Sequence, residues 1–337
     1  MRLTKAAFVL LGFIWGSNFI YMKWAVTLIS PMQIAFLRVL FGFLPLALAA
    51  WHQGVINRSQ VRHLPHFFVM ASVATAFYYV AIVKGTALLP SGTAGVLGGS
   101  IAIFTAISSL LLLRTEKVNG LMVAGVVLGF AGIVLIARPW EGADNPIDLA
   151  GVFWMLAGAI TLGLSYVYVR RFLSPFNLPP LALVTWQMGL ALLILTLLTD
   201  FTGMRHILQD WRAATGVVVG LGVLGTGIAF LIYYFLLQEL GAVAASGSTY
   251  ITPTVALLIG WVAGEKVGAL EVAAIALILA SIAMLQMDGN GHRRPPTIYL
   301  TSKLSTPKLP SRAGSHGEST CASYVSAAAR PACTSAC

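Results

Sequence analysis

Residues 241 to 266 read GAVAASGSTYITPTVALLIGWVAGEK, and residues 92 to 117 read GTAGVLGGSIAIFTAISSLLLLRTEK. Each begins with small residues, runs through about a dozen apolar ones and ends in Glu-Lys. An offset of 149 lays Gly92 on Gly241, Glu116 on Glu265 and Lys117 on Lys266. A second, independent match lies upstream, where an offset of 148 lays Ser17 on Ser165, Lys23 on Arg171 and Pro31 on Pro179. The chain therefore reads as two related halves of nearly 150 residues, 1–140 and 141–288, followed by a tail at 289–337.

Composition fixes the class. Of 337 residues, 58% are hydrophobic and 9% charged, far from the roughly 25% charged of a soluble domain. Ten apolar stretches approach the ~20 residues that a helix needs to cross the hydrocarbon: 6–28, 32–51, 66–88, 93–113, 118–138, 150–171, 180–200, 214–238, 242–263 and 268–287. They are continuous and rich in Leu, Ala and Gly, which excludes the alternating segments of a β-barrel. The expected fold is an all-α integral membrane protein of ten transmembrane helices. The first stretch is read as a retained helix, because it is long for a signal peptide and lacks a small-residue cleavage site.

Five helices per half is an odd number, so the second half must enter the membrane from the opposite side and the repeats are inverted. Ten Lys or Arg flank the spans on the side of the N-terminus and six on the other, which predicts that both termini are cytoplasmic; the expected location is the plasma (inner) membrane. All three cysteines, Cys321, Cys333 and Cys337, fall in the tail, so disulfides and thiolate metal ligands are excluded from the membrane part. The tail is basic and rich in Ser, Thr, Pro and Ala, and is expected to be disordered.

The costly residues point to a site. Trp15-Gly16-Ser17-Asn18-Phe19 is the most distinctive string of the first span, and an Asn18 amide facing lipid would leave its hydrogen bonds unmade. Its two readings are an ordinary interhelical hydrogen bond and a cavity wall. Arg38 lies too deep to leave uncompensated, since a charge at the bilayer centre costs at least ~2.5 kcal/mol. Lys23 and Lys84 sit nearer the span ends, where a long side chain snorkels to the interface. Tyr78, Tyr166, Trp186, Tyr233 and Tyr250 lie deep enough to line a cavity, with helix packing as the alternative for each. Carboxylates are read at span ends, at Glu116, Asp200, Glu239 and Glu265, so a buried proton relay is not expected. If protons are coupled at all, Glu239 and Glu265 are the candidates. Pro45 and Pro253 are expected to bend their helices, with Pro253 as a helix break lining a cavity.

The WGSNF string with Lys23 after it, Pro31, Arg38 and the Glu-Lys endings of the fourth and ninth spans resemble EamA-type members of the drug/metabolite transporter superfamily. The likeness covers residues 6 to 287; members usually carry a proline in the fourth span, where Phe104 here stands opposite Pro253. The resemblance implies a secondary transporter, usually an exporter, of small metabolites such as amino acids. No P-loop is present to couple ATP. The alternatives are a receptor or scaffold, and a membrane enzyme, which would need a nucleophile, metal ligands or paired carboxylates; the six histidines all lie in loops, in the tail or at a span edge. No enzyme activity, cofactor, metal or nucleic acid is expected. The expected partners are a small-molecule substrate and membrane lipid, and a homodimer is compatible with the sequence. With basic residues inside the spans, carboxylate-bearing substrates are favoured over organic cations, a carboxylate pairing with Arg38.

Overall fold

A computed structural model describes residues 2–112, 120–138, 140, 147–246, 248, 251–266 and 268–291. All regular structure among them is helical. The first half contributes α1 (Arg2–Ala25), α2 (Pro31–His52), α3 (Arg58–Leu88), α4 (Ser91–Leu112) and α5 (Gly120–Ala137). The second contributes α6 (Leu149–Phe176), α7 (Pro180–Leu198), α8 (Trp211–Leu236, with the helix continuing to Ser246), α9 (Ile251–Val262) and α10 (Ala269–Gly291). Eight of these are long and apolar enough to cross a membrane, and α9 and α10 are shorter apolar helices. The described residues form one unit; of the tail expected to be disordered, residues 289–291 continue α10 and the rest, from residue 292, lies outside the described residues.

Local chemistry sets the helix ends. Ser30 accepts from the Gln33 amide while the Gln33 side chain returns the bond to the Ser30 N–H, a reciprocal cap with Pro31 in the first turn. Asp148 caps α6 through the Ala150 N–H at 2.8 Å, and Asp210 caps α8 through the Arg212 N–H at 2.8 Å. Large apolar side chains such as Leu48, Phe153, Leu197 and Trp261 point outward, a face suited to lipid rather than water.

Glycine brings the helices together. Gly125 faces Leu285, Gly129 faces Ser281 and Gly132 faces Ile278, so one index rises as the other falls and α5 runs antiparallel to α10. In α4 and α9, Gly92 faces Leu257 and Gly99 faces Pro253, again antiparallel. A Cβ at Gly129 or Gly132 would collide with the partner helix and one at Gly92 or Gly125 would crowd it, which is the close approach that small residues allow in membranes.

Two boundaries and one charged residue differ from the sequence expectation. The eighth helix runs on to Ser246, where a ninth was expected to begin at 242, because Gly-Ala-Val-Ala-Ala-Ser contains no breaker; in the first half Leu89-Pro90 separates α3 from α4. The fourth helix is interrupted at Gly99-Ser100 although it has no proline there, with Ser100 Oγ donating to the Leu97 carbonyl at 2.6 Å. Finally, Glu271 stands in the first turn of α10, inside a span expected to hold no carboxylate, and forms an ion pair with Arg138 at the end of α5.

Two helices widen in the same place. Residues Ala71–Phe77 of α3 and Gly216–Ile228 of α8 are π-helical. Such stretches are rare and leave backbone carbonyls offset from their usual partners; Thr226 Oγ1 accordingly donates to the Leu221 carbonyl five residues back, at 2.9 Å.

Candidate functional site in the bundle interior

Arg38 is 5% exposed and is the one lysine or arginine among the described residues that is fully buried. Three groups hold it. Its Nε donates to Thr226 Oγ1 at 3.1 Å, and its guanidinium carbon lies 4.2 Å above the centre of the Tyr79 ring. With the Asn18 amide assigned so that its oxygen faces the guanidinium, Asn18 accepts from Nη2 at 3.2 Å and donates to the Ile14 carbonyl at 3.2 Å. Gly225 makes this possible, because a Cβ there would overlap the Asn18 side chain. Nη1 is buried and has no hydrogen-bond partner, and no carboxylate pairs with Arg38 among the described residues.

A group of tyrosines adjoins this charge. Tyr78 is half-buried, within electrostatic reach of Arg38, and packs on Tyr79 with ring centres 5.3 Å apart. Tyr166, on α6, is within electrostatic reach of Tyr78, Tyr79, Tyr233 and Tyr234 and is nonetheless 51% exposed. With half its surface open, the Tyr166 side chain is not packed into the core. Trp15 closes the group against Tyr233, ring centres 6.0 Å apart. Thus Trp15, Asn18, Arg38, Tyr78, Tyr166 and Tyr233, drawn from α1, α2, α3, α6 and α8, meet in one region.

Other expected site residues do not. Trp186 stacks on Phe67 with ring centres 5.9 Å apart and donates from Nε1 to Gln60 Oε1 at 2.9 Å, which ties α7 to the cap at the start of α3 in a separate apolar cluster. Tyr250 and Glu116 lie outside the described residues. Pro253 is buried in α9 and packs against Gly99 of α4; residues 249 and 250, just before α9, lie outside the described residues, so the helix break expected at Pro253 has no described backbone on its N-terminal side. Glu239 is exposed. Lys84 lies over the Trp154 ring at 4.3 Å.

Lys23 and Glu265 are engaged at the end of the bundle where α1 finishes. Lys23 Nζ donates to the carbonyls of Leu89 at 2.8 Å, Ala87 at 3.2 Å and Thr86 at 3.4 Å, capping the C-terminus of α3. Glu265 accepts from the N–H groups of Ser91 at 2.7 Å and Gly92 at 2.9 Å, capping the N-terminus of α4. The two charges are within electrostatic reach of one another, so they hold the α3–α4 turn from both sides. This arrangement replaces snorkelling for Lys23.

Sequence reading missed Thr226, Tyr79 and Glu271. Thr226 did carry a signal, as the one hydroxyl in the glycine-rich run GVVVGLGVLGTGI. Replacing it with valine keeps the shape and removes both its acceptor and its donor. Thr226→Val is expected to lower stability by about 1–3 kcal/mol, read as a lower melting temperature in detergent. An unchanged melting temperature would mean that the Arg38 contact is not holding these helices together.

Comparison with known proteins agrees with the helical fold. A solved crystal structure superposes with a TM-score of 0.54 at 20% identity, covering 84% of this chain and 96% of that one, which shows the fold. The chain is 25% identical to the uncharacterized transporter YoaV of Bacillus subtilis over 74% of its own length and 84% of the relative's. It is also 25% identical to a protein of Streptantibioticus cattleyicolor named as a probable terminal-alkyne amino-acid exporter, over 87% and 97% of the two chains. The uncharacterized inner membrane transporter YedA of Escherichia coli is 25% identical over 81% and 87%. The EamA-like transporter family matches residues 4–138 and again 149–287, and the chain belongs to that family.

Proposed function

We propose that this protein is a secondary transporter of small metabolites such as amino acids, working as an exporter in the plasma membrane by alternating access between two inverted five-helix halves. The observation that carries the reading is the pattern of helix packing. Numbering the helices one to five in each half, α1 packs on α9 as α6 packs on α4, α3 packs on α6 as α8 packs on α1, and α2 packs on α8 as α7 packs on α3. Three helices pack on their own counterparts: α2 on α7, α4 on α9 and α5 on α10. The last two pairs are antiparallel, as an axis lying in the membrane plane requires. Two halves so interleaved can exchange conformations and present one interior site to each side in turn. The tyrosine-lined region beside Arg38 draws on both halves and is suited to be that site. A relative named as an amino-acid exporter supports the substrate class.

The test is flux. Purified protein in proteoliposomes should release preloaded amino acids faster than empty liposomes do, in a panel that includes nucleosides and organic cations; no protein-dependent flux of any of them would overturn the reading. Topology is tested separately with single cysteines at positions 58 and 205, the native three replaced by serine. An impermeant thiol reagent should reach position 205 but not position 58 in intact cells, and labelling of both from outside would refute the inverted arrangement.

A further inference from the structure

Arg38 has a neutral counterpart, and the comparison separates what its charge does from what its hydrogen bond does. Pro31 and Pro180 begin α2 and α7, and superposing these two helix starts, an offset of 149, places Gln187 of α7 opposite Arg38 of α2. Gln187 is 8% exposed and donates from Nε2 to Thr75 Oγ1 at 2.7 Å. Thr75 lies in the π-helical stretch of α3, as Thr226 lies in that of α8. Each half thus ties its second helix to a widened third helix of the other through a threonine. At Gln187 a neutral amide suffices for this tie. A guanidinium at Arg38 costs more to bury within a membrane and makes the same bond to threonine.

The surplus is a cation prepared for a ligand. Thr226 and Asn18 occupy Nε and Nη2, and the Tyr79 ring covers one face, so the plane of the fork is fixed before anything binds. Nη1 is left buried and without a partner. A desolvated cation in this state is stabilised most by an anion that hydrogen-bonds to it. We propose that Arg38 anchors the carboxylate of the transported metabolite through Nη1, with the remainder of the molecule against Tyr78 and Tyr166. The proposal rests on the transporter reading for its physiological role, but binding is measured without it. A cationic amine would bring a second positive charge to a fixed one and leave Nη1 unpaired.

Purified wild-type protein, Arg38→Gln and Arg38→Lys are titrated by calorimetry with alanine, leucine and phenylalanine, and with the three amines that result from their decarboxylation. Wild type is expected to bind at least one amino acid ten or more times tighter than its amine. Arg38→Gln reproduces the residue found at the counterpart position; it should fold and lose that preference at least tenfold. Arg38→Lys keeps the charge without the fork and should fall between the two, and it carries the comparison should Arg38→Gln not fold. Amines bound as tightly as all three amino acids, no amino acid bound at all, or variants that bind as wild type does would each overturn the anchor. Flux in proteoliposomes from the same preparations separates the two readings. Rapid transport of the amines with no carboxylate binding removes the anchor and keeps the transporter; Arg38-dependent carboxylate binding without any flux keeps the anchor and removes the transporter.

Discussion

Gly163→Val is expected to abolish recovery of folded, monodisperse protein, whereas Gly120→Val leaves it unchanged. A Cβ at Gly163 would lie 2.8 Å from the Thr105 amide nitrogen and 2.9 Å from the Phe104 carbonyl carbon, so the obstacle is the backbone of α4. A side chain in the way could rotate aside, but a helix backbone cannot, and α6 would have to move off α4. Overpacking against side chains already costs about 1–3 kcal/mol, and a displaced helix loses packing along its length from a total stability of only ~5–15 kcal/mol. The same close approach recurs in the other half, where Gly16 faces the Thr252 carbonyl oxygen and Val255. Gly120 begins α5 with nothing within 4 Å of its Cβ direction, which makes it the control. Size-exclusion profiles of the two variants in one detergent decide the matter; a monodisperse Gly163→Val peak of wild-type yield would show that α4 and α6 are not locked together as described.

The helical class was legible because hydrophobic length and composition are local properties, and the duplication because Glu116 and Glu265 end their stretches alike. The partners of the buried charge were not. Arg38 meets Thr226 across 188 positions, and nothing local to either residue encodes that meeting. Asn18 and Arg38 were recognisable as costly, since each carries polar atoms that lipid cannot satisfy, yet cost alone does not say which residue compensates it. Trp186 shows the opposite failure. Its depth in the span suggested a cavity, but a tryptophan needs only one acceptor, and Gln60 at the cap of α3 supplies it. The widened turns at Thr75 and Thr226 had no propensity signal, because a π-helical turn is a register change imposed by packing. Glu271 was hidden by its apolar surroundings in α10, and Arg138 accounts for its presence there.

Removing the Glu265 carboxylate is expected to open the end of the bundle that it closes. In the structure its two oxygens take the N–H groups of Ser91 and Gly92, the first of α4, while Lys23 takes the last carbonyls of α3. One charge comes from the segment between α9 and α10 and the other from α1, so the α3–α4 turn is gripped by elements of both halves. Hydrogen bonds to a charged group contribute about 1.5–3 kcal/mol each, and the two at Glu265 weight the equilibrium toward closure by a few kcal/mol at most. Loss of ~2 kcal/mol would multiply the open population about thirtyfold. Thr86, 0% exposed beneath Lys23, is the reporter position. In a cysteine-free background in detergent, Thr86→Cys should react slowly with a polar maleimide, and at least ten times faster when Glu265→Ala is added. Glu265→Gln keeps one acceptor oxygen and should fall between them. Glu239→Gln, at an exposed side chain away from this contact, should leave the rate unchanged. If Glu265→Ala left the labelling rate at the level of the parent while the melting temperature also stayed constant, the carboxylate would be a dispensable cap, and closure of this end would have to reside in the packing of α1 and α9 instead.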